Sequence, residues 1–111
     1  MIKIKIFLIS LILSGTIPPL FADSILSQKS YAASIIGGYL CELRKGSFTR
    51  ESFILAIEDR MIRRGYDTKI LYDQKVKRAG KFIADKLGSS CNNGKFYSDR
   101  NFQNKFKELL Y

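Results

Sequence analysis

Apolar residues recur at steps of three and four along the chain from residue 23 onward, which is the spacing of one buried helix face. Four such segments are separated by glycines and short polar connections. The predicted helix starts are Asp23 or Ser24, Thr49, Thr68, and Ser98 or Asp99. The first three helices are predicted to end at Gly46, Gly65 and Gly88. No segment alternates with a period of two, so we predict an all-α protein, a small bundle of about four short helices.

The periodicity also assigns each helix an inward face. The side chains expected in the core are, helix by helix, Ile25, Ala32, Ile36, Tyr39 or Leu40, and Leu43; Phe53, Ile54, Ile57, Met61 and Ile62; Tyr72, Val76, Ala79, Ile83 and Leu87; and Phe102, Phe106, Leu109 and Leu110. The connection between the first two helices is only a few residues long, which favours an antiparallel pair. Gly37 and Gly38 lie inside the first helix, where each costs roughly 1 kcal/mol relative to Ala. We expect the close approach of a neighbouring helix to explain them, and a hinge is the alternative.

The first 22 residues have the order of a signal peptide. Lys3 and Lys5 precede an apolar run over 6–13, and a breaker stretch then leads to Ala22. The apolar run is well short of the roughly 20 residues that a membrane span needs. We therefore predict that residues 1–22 are removed and that residues 23–111 form one exported helical domain, in the periplasm, another extracytoplasmic lumen or the medium. An uncleaved anchor, which would leave the protein tethered to a membrane, is the alternative.

The chain contains two cysteines, Cys41 and Cys91. An exported chain usually meets an oxidising compartment, so we predict a disulfide that ties the end of the first helix to the turn after the third. A reactive thiol is disfavoured because the chain has no His to act as its base and no C-x-x-C pair. Two sulfurs without an imidazole would also leave a zinc ion short of its four ligands. We predict no metal site and no other cofactor.

Basic residues outnumber acidic ones by 19 to 10, which gives a formal net charge of +9. The excess is concentrated between residues 60 and 86. A field of this sign attracts anionic lipid head groups, acidic proteins or nucleic acid, although export disfavours nucleic acid. The residues predicted to bind anions, weakly, are Arg60, Arg63, Arg64, Lys75, Lys77, Arg78 and Lys81. The alternative is that these residues form only the solvated side of amphipathic helices.

No catalytic residues are predicted. The chain has no His, no G-x-S-x-G turn and no glycine-rich phosphate loop. Glu58 and Asp59 are neighbours on a helix and point about 100° apart, so they do not form a carboxylate pair. A small hydrolase or an enzyme inhibitor is kept as the alternative. A hydrolase would require Glu42, Glu51 or Glu58 to converge in a pocket with a Tyr or Lys of displaced pKa.

The segment from Tyr39 to Gly46 contains the pattern C-x-L-x-x-G, and the second cysteine follows about 50 residues later. In these features, over roughly the middle half of its length, the chain resembles a group of small exported two-cysteine helical proteins of bacteria, particularly cyanobacterial ones. The resemblance implies a secreted or periplasmic helical domain closed by a disulfide. It implies no catalytic residues, because the group has no assigned activity. The aromatic helix after Cys91 departs from the group.

These features together favour an exported, non-enzymatic, disulfide-stabilised helical module. We expect it to act by binding a protein or an anionic component of the cell envelope, with a membrane surface among the partners. The basic face of the second and third helices is the surface where we expect that binding. The oligomeric state is not predicted.

Overall fold

The computed structural model describes residues 24–111, which form four α-helices and contain no strand. The helices are α1 (Ile25–Arg44), α2 (Arg50–Arg63), α3 (Gln74–Leu87) and α4 (Arg100–Leu110), with 3₁₀ helices at Thr68–Tyr72 and Lys95–Ser98. The predicted all-α class is confirmed. The predicted signal peptide lies outside the described residues. Within residues 24–111, no helix is both long enough and apolar enough to span a membrane.

Polar side chains cap the start of every α-helix. The caps are Ser24, Thr49, Asp73 and Asp99. Each accepts a hydrogen bond from a backbone N–H in the first turn, which satisfies a donor that has no partner within the helix. Gly46, Gly65 and Gly88 follow α1, α2 and α3 with φ of +84°, +75° and +65°, a conformation that favours glycine. Three of the four predicted starts and all the predicted glycine ends are therefore confirmed.

Ion pairs at the helix ends show that α1 and α3 run parallel. Lys29 in the first half of α1 pairs with Asp73 at the start of α3, with 3.3 Å between Nζ and Oδ2. Arg44 at the end of α1 pairs with Asp85 near the end of α3 at 2.8 Å. Both pairs are partly exposed, so they indicate orientation more than they add stability.

Aromatic contacts give the direction of α2. Tyr39 in the second half of α1 packs edge-on against Phe48, just before α2, with 5.4 Å between ring centroids. Tyr31 in the first half of α1 packs against Tyr66, just after α2, at 5.6 Å. The two helices are therefore antiparallel, as predicted.

α4 returns along α3 in the opposite direction. Phe102 near the start of α4 stacks on Phe82 in the second half of α3 at 5.3 Å. At the other end, the Lys75 ammonium donates to the carbonyl oxygen of Tyr111. The four helices therefore alternate in direction, up-down-up-down, which is the simplest way to connect a bundle by short links.

The centre of the core is the close crossing of α1 and α3. A Cβ atom added to Gly37 would lie 2.6 Å from Cβ of Ile83 and 3.0 Å from the carbonyl oxygen of Gly80. Gly80 in turn faces α1, where an added Cβ would lie 2.8 Å from Cβ of Ile36. Close approach therefore explains Gly37, as predicted. Gly38 meets no atom within 4 Å, so packing does not explain it.

The inward face predicted for α2 is only partly correct. Ile57 and Met61 are buried, but Ile54 lies at the surface and Ile62 is 65% exposed. Ile62 sits about 100° around the helix from Met61, so it points to solvent when Met61 points to the core. The prediction was wrong there because α2 packs along α1 on one side only, which buries a narrow stripe.

The predicted single helix from Thr68 to Leu87 is interrupted. Asp73 has extended backbone angles, φ −66° and ψ 129°, and its carboxylate accepts from the Lys75 N–H at 2.8 Å. Asp is well suited to this capping position, and the cap ends the 3₁₀ helix and starts α3. The break reverses the expected burial: Leu71 is buried, whereas Tyr72, predicted to be in the core, is 51% exposed.

Two substitutions of Asp73 separate its capping of α3 from the effect of its charge. Asp73→Ala should lower the free energy of unfolding by about 1 kcal/mol at neutral pH, since the cap of α3 is lost. Asp73→Asn keeps a capping side chain and should cost less. Urea denaturation of both variants measures the two effects.

The charge of Asp73 adds a pH dependence. The hydrogen bond from the Lys75 amide, followed by the Lys29 side chain, holds the pKa of Asp73 below its ordinary value. The ionised carboxylate therefore stabilises the fold fully above the unfolded pKa of about 3.9, and this contribution is lost as the pH falls through the lower folded pKa. The stability difference between wild type and Asp73→Asn should shrink in acid, and a difference independent of pH would contradict the argument.

The predicted disulfide is present. Cys41 and Cys91 are bonded, with 5.6 Å between their Cα atoms, and the bridge links the last turns of α1 to the segment after α3. Cys41 is 2% exposed and belongs to the core cluster. Cys91 is the one non-glycine residue between 24 and 111 with positive φ, at 62°. A disulfide of this kind is consistent with an oxidising, extracytoplasmic location.

Candidate binding groove

A groove of about 370 Å³ opens between α1, α2, the 3₁₀ helix Thr68–Tyr72 and α3. Its floor is formed by apolar side chains from α1, α2 and the 3₁₀ helix: Ile36, Leu40, Leu43, Phe53, Ile54, Ile57 and Leu71. Polar side chains stand at its edges: Arg50, Tyr72, Lys77 and Lys81. We refer to these eleven residues as the groove.

The groove exists because α2 does not pack along α3. α2 contacts α1 and the 3₁₀ helix, and α1 lies mainly against α3, so the space between α2 and α3 stays open above the side chains of α1. The break at Asp73 contributes as well, since it turns Leu71 inward to the floor and leaves Tyr72 at the edge. The apolar side chains of α2 that the core does not cover therefore line a concave surface.

The basic edge of the groove comes mainly from α3. Lys77 and Lys81 are four residues apart, so they project from the same side of the helix. The Lys77 ammonium is 5.7 Å from the centroid of the Tyr72 ring, and the Lys81 ammonium is 3.7 Å from the Asp85 carboxylate. Both side chains are exposed. Arg50 supplies a third cation from the start of α2.

Asp85 is itself strongly paired. The Arg44 guanidinium beside it, together with the charge of Lys81, holds the pKa of the Asp85 carboxyl below its usual range. Arg44 is the closer partner, at 2.8 Å against 3.7 Å for Lys81. Asp85 is thus shared by the two cations, and Lys81 is the more distant of them.

Tyr72 joins two elements at the edge of the groove. Its hydroxyl donates a hydrogen bond of 2.7 Å to Oε2 of Glu58 on α2. This hydrogen bond raises the pKa of Tyr72, with burial and the charge of Glu58 acting in the same direction. The Tyr72 hydroxyl stays protonated at neutral pH, and its hydrogen bond links the 3₁₀ helix to α2.

The predicted cations at the end of α2 lie away from the groove. The Arg64 guanidinium sits 4.4 Å from the centroid of the Tyr31 ring, and that of Arg60 is 5.9 Å from the Tyr39 ring. These cation–π contacts connect α2 to α1. Arg63 pairs with Asp59 on its own helix at 2.8 Å.

The remaining predicted cations are on α3 but not at the groove. Lys75 contacts the carbonyl oxygen of Tyr111 on the α4 side. Arg78 is exposed, and no ion pair involves it within residues 24–111. Of the seven predicted anion-binding residues, the structure thus brings two together at the groove, Lys77 and Lys81.

Sequence reasoning missed Arg50 and the groove itself. One signal for Arg50 was present: a basic residue in the first turn of a helix opposes the helix dipole, which favours acidic residues there. No comparable signal marks the groove, because its apolar residues have the spacing of an ordinary helix core.

A second, shallow depression of about 400 Å³ lies beside the disulfide. Glu42, Arg60 and Cys91 are among its lining residues. Its Glu42 accepts a hydrogen bond of 3.3 Å from the Ser47 hydroxyl, and Glu58 is bonded to Tyr72 at the other surface. Glu42 and Glu58 therefore lie at different surfaces, and of these two Glu58 is the one that contacts a tyrosine of displaced pKa, Tyr72. Nowhere in residues 24–111 do three metal-binding side chains come together in a cluster.

The fold and groove define the class as a disulfide-closed, up-down-up-down four-helix protein with an amphipathic groove. Comparison of the chain with protein-family models, curated proteins and solved structures finds no match. The resemblance carried by Tyr39–Gly46 and Cys91 therefore stays a prediction.

Proposed function

We propose that this protein is an exported, non-enzymatic binding module that engages an anionic component of the cell envelope through the groove. The observation that carries the proposal is the joining of an apolar floor with a basic edge formed by Lys77, Lys81 and Arg50. Binding sites are typically concave and mostly apolar, with a few polar groups that fix orientation. Apolar side chains exposed in such a groove stabilise the fold less than buried ones, and a bound ligand would cover them.

The compartment is part of the same proposal. The first 22 residues have the order of a signal peptide, and the disulfide requires oxidising conditions to persist. Binding chemistry is favoured over hydrolysis because Glu58 is held by Tyr72 and Glu42 lies at the other depression. No carboxylate is among the residues that line the groove, and Glu58 contacts the lining through the Tyr72 hydroxyl.

The experiment is cosedimentation of the purified oxidised protein with anionic phosphatidylglycerol vesicles at low salt. The double variant Lys77→Glu, Lys81→Glu should bind at least about thirtyfold more weakly, since each cation near an anionic surface contributes about 1 kcal/mol. High salt should weaken the wild type in the same way.

The matched control is Arg100→Glu, Lys105→Glu, which changes the net charge equally on α4, away from the groove. We expect it to keep binding within about fivefold of wild type, because screening limits the effect of distant charges. Equal losses in the two double variants would show that net charge alone drives binding and would overturn the groove as the site. Circular dichroism would verify that both variants fold.

A further inference from the structure

We propose that the groove takes the alkyl chain of a single-chain anionic amphiphile, such as a long-chain carboxylate, whose head group lies at Lys77 and Lys81. This inference rests on the proposed function, and it names the class of ligand that the groove binds. The chemistry of the floor, its size and the charge at its edge all favour such a ligand.

The floor suits an alkyl chain better than a peptide. Its lining comes from helices, whose backbone N–H and C=O groups are already bonded within each helix. An extended peptide would therefore bury its own amides without partners, which is unfavourable. An alkyl chain has no such groups and meets aliphatic side chains and the Phe53 ring.

The volume of the groove favours a ligand with a single alkyl chain. A water molecule takes about 30 Å³ of liquid, so 370 Å³ holds roughly a dozen groups the size of a water or a methylene. One medium-length alkyl chain matches that volume, and the two chains of a diacyl lipid together exceed it. A single leucine or phenylalanine side chain from a partner protein would fill only part of it.

The charge at the edge complements an anionic head group. Lys77 and Lys81 stand one helix turn apart on the same side of α3, so a carboxylate between them meets two ammonium groups. Arg50 lines the groove from α2. No acidic side chain lines the groove, and the carboxylate that pairs with Lys81, that of Asp85 at 3.7 Å, lies outside the lining.

The test is titration calorimetry of the purified oxidised protein with octanoate, decanoate, dodecanoate and tetradecanoate below their micelle concentrations. Affinity should rise about fourfold for each added methylene, and it should level off once the chain exceeds roughly a dozen carbons. Dodecyltrimethylammonium, which has the same chain and a positive head group, should bind at least about tenfold more weakly than dodecanoate.

Two variants test the site with matched size. Ile54→Trp adds bulk inside the groove and should weaken dodecanoate binding at least about tenfold, whereas Leu55→Trp adds the same bulk to an exposed neighbour outside the groove and should stay within about twofold. Lys77→Glu, Lys81→Glu should also lose dodecanoate at least about tenfold. The double lysine variant keeps the test decisive if Ile54→Trp fails to fold.

The outcomes separate this inference from the proposed function. Groove-dependent vesicle binding without any dependence on chain length would overturn the amphiphile and leave the anionic binding module standing. Binding of an acidic peptide that Ile54→Trp abolishes, with no binding of dodecanoate, would likewise overturn the amphiphile in favour of a protein partner. If the wild type binds neither vesicles nor dodecanoate, both proposals are overturned.

Discussion

Breaking the Cys41–Cys91 disulfide is expected to lower the free energy of unfolding by about 4 kcal/mol. The bridge closes a loop over a sequence separation of 50 residues, and a loop of that length removes about this much entropy from the unfolded chain. Domains of this size are often stable by only 5 to 15 kcal/mol, roughly, so the loss is a large fraction of the total.

The structure gives two further reasons for a large effect. Cys41 belongs to the buried core, so the bridge anchors the loop directly to α1. Cys91 sits at φ 62°, a conformation that costs a non-glycine residue roughly 1 kcal/mol or more and that the bridge helps to hold. Without the bridge, we expect the segment between Gly88 and the second 3₁₀ helix to leave the core first.

Urea denaturation of three forms measures the effect: oxidised wild type, wild type with dithiothreitol, and Cys41→Ala, Cys91→Ala. The two forms without the bridge should agree within about 1 kcal/mol, since they break the same link in different ways. A reduced protein with the urea midpoint of the oxidised one would show that the bridge adds no stability, and it would remove the main link between this fold and an oxidising compartment.

Much of the fold could be predicted from the sequence because local chemistry and hydrophobic period agree. Ser24, Thr49 and Asp99 can each cap a helix, and an apolar run with helical spacing follows each one. The disulfide followed from counting, since two cysteines in an exported chain have one intramolecular partner each. These features depend on neighbours in sequence or on composition.

The errors lie where two local signals compete. Around Asp73 the helical period continues through Tyr72 and Val76, but the carboxylate caps a new helix and breaks the period. The hydrophobic period alone could not show whether the helix continues through Asp73 or a new helix starts there. At Ile62 the hydrophobic period predicted burial, but α2 packs on one side only. That packing is a property of the tertiary arrangement.

The groove was beyond sequence reasoning for a related reason. Its lining joins residues from four elements, and whether they pack against each other or leave a gap depends on how α2 is placed relative to α3. The basic cluster in the sequence includes Lys77 and Lys81, which line the groove, and also Arg60 and Arg64, which contact tyrosines of α1. A charge count does not distinguish a cation beside a groove from one that packs on a ring.

Gly37→Ala is expected to destabilise the protein by about 2 kcal/mol, although alanine favours helix over glycine by about 1 kcal/mol. The added methyl would lie 2.6 Å from Cβ of Ile83 and 3.0 Å from the backbone of Gly80, so α1 and α3 must move apart. Overpacking of this kind costs roughly 1–3 kcal/mol, and a clash with backbone belongs at the upper end.

Gly38→Ala is the matched control on the next residue of the same helix. Nothing lies within 4 Å of its added methyl, so only the helix preference acts and the variant should be about 1 kcal/mol more stable than wild type. Urea denaturation should then separate two identical substitutions at adjacent positions by about 3 kcal/mol. If the two variants shift the midpoint in the same direction, the close crossing of α1 and α3 is not what holds this core together.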